Sequence, residues 1–145
     1  MSIVTSLILA VLSIWDYPSR QARHEALRNE FVEAVREGDT KTMISASKKG
    51  VALLPDDPTW HYNLACSLAY LKNHKPALDE LEKAIDLGFR DVDAIQKDND
   101  LKQLAKERRF SELVEYAREM QTRPLMMGPL ATVEATGIFG QQMAL

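Results

Sequence analysis

A chain of 145 residues with 46% hydrophobic and 27% charged side chains has the make-up of one small globular domain. Its net charge of −3, without a basic cluster, excludes the electrostatic footprint of a nucleic-acid binder. A single cysteine, Cys66, excludes an internal disulfide and a cysteine-rich metal site.

The charges are unevenly placed. All 18 Lys and Arg residues lie between Arg20 and Arg123, and every acid except Glu134 lies between Asp16 and Glu119. The middle therefore reads as a soluble domain over 19–121, flanked by two apolar ends, 1–15 and 122–145. At the N-terminal end, Ile3–Ile14 is a mostly apolar run, too short to cross a bilayer, which takes roughly 20 residues. Its length suits a signal-peptide core of about 7–15 residues, although no Lys or Arg precedes it. Val11-x-Ser13 is a passable cleavage site. Export or membrane attachment through residues 1–15 is one expectation; a packing helix on a cytoplasmic chain is the other.

Asp16-Tyr-Pro-Ser19 is expected to break that run, with Ser19 as the N-cap of a first helix over Ser19–Arg36. Ala22, Leu27, Phe31 and Ala34 recur there at helical spacing. Asp39 or Thr40 caps a second helix that stops before Pro55. Asp56-Asp57 opens a third, with Pro58 in the first turn, where a missing N–H is tolerated. Asn73 ends that helix, Pro76 stands near the start of a fourth, and Gly88 suits the left-handed cap that ends it. Beyond Gly88 come a short helix at Asp91–Lys97, another capped by Asp98-Asn-Asp100, and a last one carrying Phe110, Leu113, Val114 and Ala117. The expected class is all-α.

Within this frame, Trp60–Gly88 reads as two amphipathic helices with small residues at their crossing. Leu64-Ala65 is followed by Leu68, then by Ala77, Leu81 and Ala84. That is the spacing L-G-x2-Y then A-x3-F, with Ala in the glycine slot and Leu in both aromatic slots. Upstream, Gly38-Asp39 and Pro55 have the separation expected of the same unit. They set two repeats of 34 residues, at 24–57 and 58–91. On these residues the chain resembles the tetratricopeptide repeat family. Repeat two is the closer match, although Trp60 falls one position early and Phe89 replaces a terminal Pro. Repeat one has Phe31 where repeat two has Ala65, and Ala34 in place of Leu68, so large and small are exchanged. Residues 92–121 look like the degenerate closing hairpin that ends many such groups in bacterial proteins. A capping unit is physically required, because stacked repeats expose an apolar face at each end.

The resemblance implies a short α-solenoid that binds a protein or peptide ligand in a concave groove lined by the first helix of each repeat. It implies Glu25, Arg28, Asn29, Val32, Val35 and Arg36 from repeat one, and Thr59, Tyr62, Asn63, Cys66, Ala69 and Tyr70 from repeat two. Tyr62 and Tyr70 are aromatic anchors with polar tips. Asn29 and Asn63 offer amides to a peptide backbone, and Arg28 and Arg36 offer partners for a carboxylate. The subfamily that clamps a C-terminal carboxylate needs Asn where Val32 and Cys66 stand, so that ligand is not expected. Cys66 is expected to pack as a small apolar residue, with a reactive thiol as the alternative.

No cofactor or metal is expected. His24, His61 and His74 lack ligand spacing and read as surface or turn residues. Asp91-x-Asp93 and Asp98-x-Asp100 lack the glycine and distal glutamate of a calcium loop. No nucleophile elbow, phosphate loop or H-E-x-x-H motif is present, so the chain is not expected to be an enzyme. The expected role is an adaptor or scaffold. Its alternatives are an accessory or dimerisation domain of a larger enzyme, and a purely structural unit whose C-terminal segment fills the groove.

Overall fold

The computed structural model describes the backbone of residues 3–122 and the side chains of residues 19–122. The expectations for 123–145, a covering segment or the start of a further domain, lie outside the described residues.

The fold is all-α: α1 (Ile3–Glu37), α2 (Thr40–Leu53), α3 (Pro58–Tyr70), α4 (His74–Asp86), α5 (Val92–Lys97), a 3-10 helix (Leu101–Lys106) and α6 (Arg108–Thr122). No strand occurs among the described residues. Each of the first three helices packs on the next in sequence. The 3-10 helix then lies on α3, and α6 lies on α4.

Turn chemistry sets these boundaries. Asp39, Asp57 and Asp91 are N-caps whose carboxylates accept from the amides of Thr42, Thr59 and Ala94. The helices α1, α3 and α4 end alike. The amides of Asp39, Asn73 and Phe89 donate to the carbonyls of Ala34, Leu68 and Ala84, and the residue before each has positive φ. This is the Schellman ending. Gly38 and Gly88 serve it without strain, whereas Lys72 holds φ 60° with a side chain. The N-caps Asp39 and Asn73 stand 34 residues apart, as do Asp57 and Asp91. The local structure thus repeats at the period read from the sequence.

Small residues sit where helices meet. Ala46, Ala65, Ala69, Ala77 and Ala84 have no exposed surface. One core runs from Ala65 and Ala69 through Leu78, Leu81 and Ile85 to Ile95, Leu101, Leu104, Phe110 and Val114. It joins the second hairpin to the closing segment and buries the apolar face that α3 and α4 would otherwise expose. At the other interface Trp60 is buried against Gly50 of α2, with the His24 and Phe31 rings edge-on to it at 5.7 and 6.3 Å. Trp60 stands in the first turn of α3, which places its indole against α1 and α2.

Two expectations are corrected. The break at Asp16–Ser19 does not occur: α1 continues through Pro18, and Ser19 is no cap. A proline removes one N–H, leaving the carbonyl four residues back without a helical donor; helical residues on both sides carry the rest of the ladder. His61 is not a surface residue, being 2% exposed. Its Nε2–H donates to the Pro55 carbonyl at 3.0 Å, and its Nδ1 lies 2.7 Å from a Glu80 carboxylate oxygen. Both ring nitrogens are satisfied, so burial is tolerable.

Candidate functional site

The first helical turns after Ser19 bring α1 alongside α3, and the two leave a groove between them. It has a volume of about 470 Å³ and is lined by His24, Arg28, Phe31 and Val32 from α1 and by Asp57, Thr59, Trp60 and Asn63 from α3 and its cap. Residues four apart on α1 (His24, Arg28, Val32) share one helical side, as do Thr59 and Asn63 on α3. Caps fix the start of α3: the Asp57 carboxylate holds the Thr59 amide at 2.9 Å and lies 3.8 Å from His24 Nε2.

The floor is apolar and the rim polar. Phe31 and the edge of buried Trp60 form the floor, and Val32, 52% exposed, flanks it. Arg28 and Asn63 commit neither guanidinium nor side-chain amide to a partner among the described residues. A donor fork, an amide and an apolar strip in one concave site can hold an extended chain by backbone and side-chain contacts together.

Of the expected site residues, the structure brings Arg28, Val32 and Asn63 together. Asn29 is exposed on α1 outside this lining. Arg36 is exposed near the end of α1 and pairs with Glu33 at 2.7 Å. Tyr70 is 51% exposed at the last turn of α3. Tyr62 and Cys66 serve a different contact. The Tyr62 ring stacks on Phe89 with centroids 4.2 Å apart, and its hydroxyl donates to Asp98 at 2.8 Å. The Cys66 thiol donates to the same carboxylate oxygen at 3.5 Å. Asp98, whose other oxygen accepts the Asp100 amide at 2.9 Å, therefore pins the closing segment to α3.

This environment decides the chemistry of the thiol. Burial, then the nearby Asp98 charge, pushes Cys66 well above the ordinary thiol range, so it stays protonated and a poor nucleophile. Burial likewise raises Tyr62, helped by Cys66 and Asp98. Burial and the Asp98 charge raise Asp100. Among the described residues no group of three or more His, Cys, Asp or Glu side chains is placed to hold a metal ion.

His24, Phe31, Asp57 and Trp60 line the groove without having been singled out as site residues. The signal for Trp60 was its one-position displacement, which placed a large ring at the hairpin junction. Comparison with protein-family models and with curated proteins finds no match to this chain.

Proposed function

We propose that the chain is a tetratricopeptide-type adaptor that binds a peptide segment of another protein in the groove between α1 and α3. The observation that carries this reading is the groove itself: an apolar floor beside a guanidinium and an amide that have no partner among the described residues. The family reading is supported by the 34-residue recurrence of caps and by the buried alanines where the hairpin helices cross. A short solenoid presents such a surface by stacking hairpins so that their first helices stand side by side.

Aromatic and arginine side chains set in desolvated pockets carry most of the energy of protein recognition. Here the aromatic part is fixed in advance by packing, since Trp60 and Phe31 hold each other edge-on. Arg28 then adds the orientation that an apolar strip lacks.

The test is peptide selection from a random display library against the full chain, followed by titration of the selected peptides. With Arg28→Ala combined with Val32→Asp, both at exposed positions, affinity is expected to fall roughly tenfold or more with little change in melting temperature. Peptides that bind the double variant as tightly as the parent overturn the groove reading.

A further inference from the structure

We infer that α1 is a stalk whose apolar first part, Ile3–Trp15, sits in a lipid bilayer and holds the helical domain at its surface. The inference is independent of the peptide-binding reading, because it uses none of the groove residues.

The argument begins with length. With 35 residues α1 is about 52 Å long, whereas α2, its main packing partner, has 14 residues and is about 21 Å long. The two run antiparallel, so the end of α2 marks how far the domain follows α1. Leu53, the last residue of α2, shares a surface groove with Arg23, Ala26 and Leu27. At the same level Asp57 meets His24. From there toward Ile3 about twenty helical residues remain, a rise of about 30 Å. A continuous helix cannot double back, so this stretch extends away from α2–α6.

Composition names the partner. Ile3–Trp15 holds no charged residue, and at about 100° per residue its Ile, Leu and Val positions spread over roughly two thirds of the helical circumference, with Ser6, Ala10 and Ser13 in the remainder. So broad an apolar surface exceeds the single stripe that docking on one protein face needs, and suits an apolar surrounding. Beyond its first turn the helix pairs each backbone N–H with the carbonyl four residues back, which lowers the cost of entering hydrocarbon. The boundary is equally specific. Trp15 and Tyr17 close the apolar run, and Arg20 and Arg23 follow one turn later. Aromatic side chains at the headgroup level with arginines just outside them mark a membrane–water interface. Among the described residues no helix is long and apolar enough to cross a membrane. At about 20 Å against a hydrocarbon core of about 30 Å, Ile3–Trp15 has the length to enter one leaflet and part of the next.

The experiment is flotation of the full chain with phosphatidylcholine vesicles, with and without phosphatidylglycerol, beside a Leu7→Lys, Val11→Lys variant. The parent is expected to float with neutral vesicles and more completely with anionic ones. The variant is expected to lose roughly a hundredfold in partitioning, since lysine is strongly disfavoured in hydrocarbon. A second readout needs no variant: lipids brominated on the acyl chain should quench Trp15, while Trp60, buried in the domain, keeps its emission. A parent that stays with the soluble fraction and shows no quenching overturns the inference. So does equal flotation of parent and variant, or a lipid-free dimer that ignores vesicles, which would assign the apolar run to a second copy.

Discussion

Gly50 shows how much one absent methyl group decides. A Cβ built there would lie 2.1 Å from Trp60 Cδ2, inside a ring that has no room to retreat from His24 and Phe31. In an open helix, Gly→Ala stabilises by about 1 kcal/mol. Here overpacking outweighs that gain, so Gly50→Ala is expected to destabilise by about 2–3 kcal/mol in urea unfolding. An unchanged or raised midpoint would show that α2 can shift away from the indole at little cost. In the sequence Gly50 stands where repeat two has Ala84. The cause was not legible there, because Trp60 lies ten residues away and on the next helix.

At the scale of the element, the three Schellman endings follow one backbone pattern with different residues. Gly38 and Gly88 adopt positive φ freely, and Gly88 was legible as a helix stop for that reason. The end of α3 was less legible. Asn73 looked like the terminator, yet the left-handed residue is Lys72, and Asn73 instead becomes the N-cap of α4 without a side-chain cap bond. Lysine pays a steric penalty at φ 60° that glycine does not. Lys72→Gly is therefore expected to raise stability by up to about 1 kcal/mol, read as a higher thermal midpoint. A lowered midpoint would mean that flexibility gained by the unfolded chain outweighs the relieved strain. The course of α1 through Pro18 was illegible for a related reason. A proline is a strong local stop signal, and only the helix-forming residues on both sides override it.

For the molecule as a whole, the helical hairpins were readable because their contacts are local: α3 and α4 pack together across a single turn, with Ala65 and Ala77 both buried in the core they share. The closing segment was readable as helical, but its grip on α3 was not. Asp98 reaches Tyr62 and Cys66 across more than thirty residues, and no periodicity encodes that meeting. It removed two expected site residues from the groove and gave them to stability. The consequence is a pH dependence with a definite sign. Tyr62 and Cys66 are both raised in the folded chain. Their contribution is complete below the ordinary thiol value of 9.0, where folded and unfolded chains are alike protonated. It is lost as pH climbs beyond that value and the tyrosine value of 10.0, because the unfolded chain then releases protons that the folded chain keeps. Unfolding free energy is expected to fall above about pH 9, and less steeply in Tyr62→Phe. Equal slopes in parent and variant would remove Tyr62 as a source.

The uninterrupted course of α1 also makes it a gear. In an α-helix each residue advances about 1.5 Å and turns about 100°. Whatever grips one end of α1 thereby sets the compass bearing of the α1–α3 groove at the other. One residue inserted between Asp16 and Ala22 would swing the groove through more than a quarter circle while moving it by less than the length of a single bond between two carbons. Four inserted residues would bring it nearly back into phase. The direction in which this domain faces is therefore counted in residues along α1.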